Sequence, residues 1–120
     1  MTRILAVDDS RTMRSMLQAT LTDAGFEVDV AEDGVDGLDK LEGAAPDLII
    51  TDINMPRLDG FGFIEGVRTG RRMASVPILV LTTETGEHLK QRARASGATG
   101  WIVKPFDETK LISTIQRLVV

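Results

Sequence analysis

Short apolar runs alternate with amphipathic helical patterns along the whole chain. The apolar runs predict strands near 3–8, 26–31, 47–52, 77–82 and 99–103. Apolar residues at helical spacing predict helices over 13–21, 34–42, 60–69, 86–95 and 107–119. Two of the strand segments, 47–52 and 77–82, are almost wholly apolar, which is typical of strands buried on both faces. The pattern predicts one α/β domain over residues 1–120, a doubly wound (βα)5 sheet, with no second or output domain.

Four of the predicted strands are followed by, or end in, a polar residue that can handle a phosphoryl group. Asp8 closes the first strand and Asp9 follows it, Asp52 closes the third, Thr82 closes the fourth and Lys104 follows the fifth. Ligands of an open parallel sheet bind beyond the carboxyl ends of its strands. We therefore expect these five side chains to meet in one crevice.

Three carboxylates in that crevice require a nearby cation. Each pair would repel by about 4 kcal/mol at a separation of about 4 Å and an effective dielectric constant of about 20. Asp8, Asp9 and Asp52 offer oxygen ligands, and the chain contains no cysteine and a single histidine. Such a ligand set favours Mg²⁺.

The same residue types favour phosphoryl transfer to a carboxylate. Asp52 would attack phosphorus and form an acyl phosphate. Lys104 and the metal would neutralise the phosphoryl oxygens, and the Thr82 hydroxyl would donate a hydrogen bond to one of them. An isolated carboxylate at a strand end could also be a general base, but the lysine and the threonine favour phosphoryl transfer.

Charge and hydropathy argue against some partners and cellular locations. The net charge of -4 argues against nucleic acid as a partner. Residues 1–83 hold 8 basic and 14 acidic residues, whereas residues 84–120 hold 6 basic and 4 acidic ones. No apolar stretch is long enough to span a membrane, and the first residues lack the pattern of a signal peptide. We expect a cytoplasmic protein without a membrane partner.

Four motifs carry a resemblance to a known family. They are ValAspAspSer at 7–10, ThrAspIleAsnMetProArgLeuAspGly at 51–60, LeuThrThrGlu at 81–84 and LysProPhe at 104–106. Together they resemble the receiver domains of two-component response regulators, and more narrowly the single-domain chemotaxis regulators of the CheY type. The resemblance implies a flavodoxin-like strand order of 2-1-3-4-5. It also implies a signalling protein, not an enzyme, which catalyses its own phosphorylation on Asp52 and its own dephosphorylation.

The resemblance further implies a ligand set for Mg²⁺. Asp9, Asp52 and the backbone carbonyl of Asn54 would bind the ion, and Asp8 would assist through water. A cis peptide bond between Lys104 and Pro105 is also implied.

Three further positions have both a functional and an ordinary interpretation. Asn54 and Glu84 stand where the family tunes the lifetime of the acyl phosphate, yet they are also plausible as plain loop residues. Trp101 replaces the tyrosine that is common at the family's aromatic switch. It is either a core tryptophan or a rotamer switch that follows Thr82 as that hydroxyl moves toward the phosphoryl group.

The helix predicted over 86–95 has Leu89 and Ala93 as almost its only apolar anchors. It is either a solvated edge helix or a movable binding face. In the second case the partner would contact this helix, the strand 99–103 and the helix 107–119. The side chains expected on that face are Lys90, Arg94, Trp101, Val103 and Lys110.

The resemblance implies a chemotaxis-type histidine kinase as the phosphodonor and the flagellar motor switch protein as the target of a monomer. One alternative is a phosphorelay carrier or phosphate sink that exchanges phosphate with a histidine phosphotransferase. Another is an Mg²⁺-dependent phosphatase with an aspartyl nucleophile. That class places a second aspartate two residues after the nucleophile, and the presence of Asn54 there counts against it.

Overall fold

A computed structural model of the chain describes residues 1–43, 45–70 and 75–119. Strands and helices alternate in the order β1 (Arg3–Val7), α1 (Arg11–Asp23), β2 (Glu27–Ala31), α2 (Gly34–Leu41), β3 (Leu48–Thr51), α3 (Gly60–Thr69), β4 (Ile78–Thr82), α4 (Glu87–Ser96), β5 (Gly100–Val103) and α5 (Glu108–Leu118). The strands form one parallel sheet in the order β2-β1-β3-β4-β5. The predicted (βα)5 fold and strand order are confirmed, and each strand bound lies within one residue of its prediction.

Apolar residues on both faces of the sheet explain why helices cover it on both sides. Every residue of β3 and β4 is buried, as their apolar runs predict. Leucine and isoleucine side chains of α1 and α5 pack on one face, and the phenylalanine, isoleucine and valine side chains of α3 pack on the other. Among the described residues, no helix combines the length and the apolar content that a bilayer crossing needs.

Side-chain caps begin four of the five helices at the edge where the strands end. Ser10, Asp33, Asp59 and Asp107 each accept a hydrogen bond from a backbone N–H in the first turn of α1, α2, α3 and α5. Asp107 accepts its hydrogen bond from the N–H of Thr109 at 3.0 Å. α4 begins instead at Gly86 and has no side-chain cap.

Candidate functional site

The register of the sheet places the ends of β1, β3, β4 and β5 along one edge. Val7 lies opposite Thr51, so Asp8 and Asp52 follow neighbouring strands. The backbone N–H of Asp52 donates to the carbonyl of Val7 at 3.0 Å. On the other side, the N–H of Lys104 donates to the carbonyl of Thr82 at 2.7 Å.

Lys104 joins the two buried carboxylates of this edge. Its Nζ lies 2.7 Å from Asp8 Oδ2 and 2.7 Å from Asp52 Oδ2. The three side chains are only 10%, 2% and 11% exposed, in the order Lys104, Asp8 and Asp52. The ammonium group therefore neutralises charges that water reaches poorly.

Burial and pairing shift the pKa values of this cluster. Burial raises the pKa of Asp8, although the hydrogen bond from Lys104 acts in the opposite direction. Burial would lower the pKa of Lys104, but its hydrogen bonds to Asp52 and Asp8 outweigh burial and raise it. Lys104 is thus held charged, and the negative charge of Asp8 is disfavoured by its surroundings.

The three acidic side chains fit a divalent cation. One carboxylate oxygen from each of Asp8, Asp9 and Asp52 lies within 4.8 Å of the others. Asp9 is exposed, whereas Asp8 and Asp52 are buried, so the cluster is open to solvent on the side of Asp9. All three donors are carboxylate oxygens, the type that Mg²⁺ prefers. The structure thus brings together the three predicted acidic ligands.

The backbone on either side orients the carboxylates. Asp52 Oδ1 accepts a hydrogen bond from the N–H of Ile53 at 2.6 Å, and Asp8 Oδ1 accepts one from the N–H of Ser10 at 2.9 Å. The second oxygen of each carboxylate therefore faces Lys104.

Thr82 ends β4, the strand that pairs with β3 in the sheet. Thr82 is fully buried, and its Oγ1 accepts a hydrogen bond from the backbone N–H of Glu84 at 3.3 Å. Asn54 Nδ2 donates to Glu84 Oε1 at 2.6 Å. The resemblance implies that Asn54 and Glu84 tune the lifetime of the acyl phosphate, and the structure adds that their side chains bind each other, joining the loop after β3 to the loop after β4.

Trp101 lies on β5 and lines a cleft together with residues of α4. It is paired with Val80 in the register, two residues before the pair of Thr82 and Val103. The indole is half-buried against the core cluster that contains Val80. Its Nε1 is buried and has no hydrogen-bond partner among the described residues. Trp101 therefore has a core-like packing and also an unsatisfied donor, which packing alone does not explain.

The predicted partner face is divided between a cleft and an exposed rim. Lys90, Arg94 and Trp101 line a cleft of about 260 Å³ between α4 and β5. Val103, at 37% exposure, ends β5, and Lys110 is exposed on α5. Neither of these two side chains lines the cleft. The peptide bond between Lys104 and Pro105 is cis, as the resemblance implies.

Arg57 is a residue near the site that the sequence did not single out. Its Nε lies 2.6 Å from Asp33 Oδ2, and its Nη2 lies 3.0 Å from Asp33 Oδ1. The two residues are separated by 24 positions in two different loops. No periodicity or motif connects them, so only the fold reveals this pair.

Comparison with known proteins agrees with this geometry. The family model of the response regulator receiver domain matches residues 4–116. The chain is 41% identical over 106 residues to the chemotaxis protein CheY1 of Helicobacter pylori, a match that covers 87% of this chain and 86% of that protein.

Solved structures of a chemotaxis regulator and of a receiver domain also superpose closely on this chain. The chemotaxis protein CheY4 of Vibrio cholerae superposes with a TM-score of 0.95 at 49% identity, covering 98% of each chain. The receiver domain of the sensor histidine kinase PA1611 of Pseudomonas aeruginosa superposes with a TM-score of 0.91 at 26% identity, covering 98% of this chain and 97% of that one. That structure contains a magnesium ion coordinated in the active-site cleft.

Proposed function

We propose that this chain, which belongs to the response regulator receiver domain family, accepts its phosphoryl group on Asp52. Receiver domains are signalling proteins of two-component systems, they are phosphorylated on an aspartate, and histidine kinases are their partners. Within the family, the chain is the receiver domain of a CheY-like chemotaxis response regulator. The assignment to Asp52 and the steps below are our proposal.

The observation that carries the proposal is the surroundings of the Asp52 carboxylate. It lies at the end of a fully buried strand, 2.7 Å from the Lys104 ammonium and beside the two carboxylates of Asp8 and Asp9. A structural ion pair would need only one carboxylate per lysine. Here two carboxylates share one lysine and a third, exposed carboxylate lies beside them, which suits a site that takes up a cation and an incoming phosphoryl group.

In the forward step, a carboxylate oxygen of Asp52 attacks the phosphorus of a phosphohistidine on the kinase. An O–P bond forms, the N–P bond breaks, and its electron pair returns to the imidazole nitrogen. Lys104 lies next to the attacking group and neutralises charge on the transferred oxygens. Thr82 turns its hydroxyl toward one of these oxygens and donates a hydrogen bond to it.

Asp9, Asp52 and the Asn54 carbonyl would hold Mg²⁺, with Asp8 assisting through water, and the bound ion would supply further positive charge to the phosphoryl group. The acidic cluster of this chain fits that ligand set. The magnesium-bound receiver domain of Pseudomonas aeruginosa supports the choice of metal.

The chain also catalyses loss of the phosphoryl group, by attack of water on phosphorus. Asn54 and Glu84 tune this step. Their 2.6 Å hydrogen bond joins the loop after β3, which begins at Asp52, to the loop after β4. A water molecule that approaches from this side must pass the two side chains.

The phosphorylated chain acts by binding the flagellar motor switch protein in the cytoplasm as a monomer. The binding face consists of the cleft between α4 and β5 and its rim, with Lys90, Arg94, Trp101, Val103 and Lys110. In the β4–β5 register, Trp101 lies two residues before the level of Thr82. Movement of Thr82 toward the phosphoryl group therefore changes the space available to Trp101. The resulting shift of Trp101 changes the shape of the binding face.

Phosphorylation by acetyl phosphate with Mg²⁺ tests the acceptor. Intact-mass spectrometry should show the gain of one phosphoryl group in the wild type and no gain in Asp52→Asn. Asp59→Asn is the matched control, because Asp59 is an exposed aspartate that caps α3, and it should be phosphorylated normally. Phosphorylation of Asp52→Asn to the wild-type level would overturn the assignment.

Binding to the purified motor switch protein tests the output. The wild type loaded with beryllofluoride and Mg²⁺ should bind more tightly than the unloaded chain. Lys90→Ala should weaken this binding, and Lys40→Ala on α2 should not. If the loaded chain ignores the motor protein and exchanges phosphate with a histidine phosphotransferase instead, the output is a relay and the motor proposal fails.

A further inference from the structure

The loop that joins β3 to α3 forms an arch over residues 52–59, with Asp52 at its start and Asn54 near it. The base of the arch is closed tightly. The N–H of Gly60 donates to the carbonyl of Ile53 at 2.8 Å, and a Cβ at Gly60 would lie 2.2 Å from the Asp52 carbonyl oxygen. Only glycine permits this approach.

The crest of the arch is tied to the start of α2. Arg57 donates from Nε and Nη2 to the two carboxylate oxygens of Asp33, at 2.6 and 3.0 Å. The next carbonyl, that of Leu58, accepts a hydrogen bond from the N–H of Gly34 at 3.2 Å. Asp33 is a rigid partner, because its side chain is 4% exposed and also caps α2 through the N–H of Asp36.

Arg57 makes this contact from an unusual backbone conformation. Its φ is +64°, in the left-handed region that residues other than glycine adopt rarely. Such a conformation persists where the surroundings impose it, and it clusters at functional sites. The paired guanidinium is the side-chain contact that holds Arg57 in place.

We propose that Arg57 is a positioning residue for the metal site. By pairing with Asp33 it fixes the arch, and the fixed arch keeps the Asn54 carbonyl directed at Mg²⁺. The inference rests on the proposed function, because it takes that carbonyl as a metal ligand. Arg57 acts through the loop, so its loss weakens metal binding without removing a ligand.

Three variants separate this role from general stability. Arg57→Gly removes the guanidinium and adopts a positive φ without strain. Arg57→Lys keeps the charge but loses the two-point contact. Asp33→Asn keeps a side chain that caps α2 and removes the carboxylate. The control is Arg3→Ala, which breaks the exposed pair with Glu27 at the opposite edge of the sheet.

Isothermal titration with MgCl₂ is the measurement. Arg57→Gly and Asp33→Asn should each bind Mg²⁺ about tenfold more weakly than the wild type, which is the usual size of such indirect effects on a metal site. Arg57→Lys should fall between them and the wild type, and Arg3→Ala should match the wild type. The double variant Asp33→Asn/Arg57→Gly should bind no more weakly than either single variant, because both remove the same contact.

Acetyl phosphate labelling gives the second readout. Arg57→Gly should take up phosphate poorly at low Mg²⁺ and fully at saturating Mg²⁺, since Asp52 and Lys104 are intact. Unchanged Mg²⁺ affinity in the variants, with normal labelling of the wild type, would overturn the positioning role alone. Should Arg57→Gly fail to fold, Arg57→Lys and Asp33→Asn decide the question. A wild type that neither binds Mg²⁺ nor takes up phosphate would overturn both the proposed function and this role.

Discussion

α3 and α4 are neighbours on the same side of the sheet, yet they are held in opposite ways. α3 buries Phe61, Phe63, Ile64 and Val67, whereas Ala93 is the one buried residue of α4. Arginine side chains add polar contacts between α3 and α4. Arg68 of α3 donates from Nε and Nη2 to the Gly97 carbonyl at 3.0 and 2.7 Å, and the Arg92 guanidinium lies 4.0 Å from the centre of the Phe61 ring.

This difference places the proposed acceptor site beside the firmly packed helix and the proposed partner face beside the loosely packed one. The proposed acceptor site adjoins the arch that leads into α3, and a helix with a large buried face anchors the end of that arch. α4 borders the proposed partner face and can move at a small free-energy cost, because little apolar surface would be exposed. A phosphoryl group at a rigid site can therefore bias a loosely held neighbour.

The largest expected loss of stability comes from truncating a buried side chain of α3. Phe63 is fully buried, so Phe63→Ala should lower the free energy of unfolding by about 3–5 kcal/mol. Urea denaturation of the metal-free protein measures this change. A loss of less than about 1 kcal/mol would mean that α3 is not the anchored helix.

Truncation in α4 should cost much less. Leu89 is half-buried at the edge of the core, so Leu89→Ala should lower the free energy of unfolding by about 1 kcal/mol. Hydrogen exchange should also show faster opening of α4 amides than of α3 amides in the wild type. Equal costs for Leu89→Ala and Phe63→Ala would remove the contrast between the two helices.

The smallest expected effect is the pH dependence of the stability that the pair of Arg57 and Asp33 adds to the fold. The hydrogen bonds from Arg57 hold the pKa of Asp33 below its usual range. A lowered folded-state pKa stabilises the fold above the unfolded value of about 4, and this contribution disappears as the pH falls through the folded value. The difference in free energy of unfolding between the wild type and Asp33→Asn should therefore be full at neutral pH and shrink below about pH 4. A difference that grows on acidification would contradict the pairing.

Much of the fold and part of the site could be predicted, because both depend on regular features. Apolar runs and helix caps such as Asp107 mark the elements, and parallel strands end at one edge wherever they stand in the sequence. Asp8, Asp52 and Lys104 therefore converge as expected.

The remaining contacts depend on the paths of loops, which no periodicity encodes. The pair of Arg57 and Asp33 requires a left-handed residue at the crest of the arch. The hydrogen bond between Asn54 and Glu84 requires two loops to approach each other across the site. For Trp101 the sequence left a core role and a switch role open, and a half-buried ring with an unsatisfied Nε1 is compatible with movement between two positions.

The most direct test of the coupling between the acceptor site and the partner face is the fluorescence of Trp101, the chain's only tryptophan. Beryllofluoride with Mg²⁺ mimics the phosphoryl group and should change the emission of the wild type. Lys90→Ala, which alters only the partner face, and Thr82→Ser, which keeps the hydroxyl, should show the same change. Thr82→Ala should show almost none, although it still binds beryllofluoride. A full wild-type change in Thr82→Ala would contradict the coupling and leave Trp101 as a core residue.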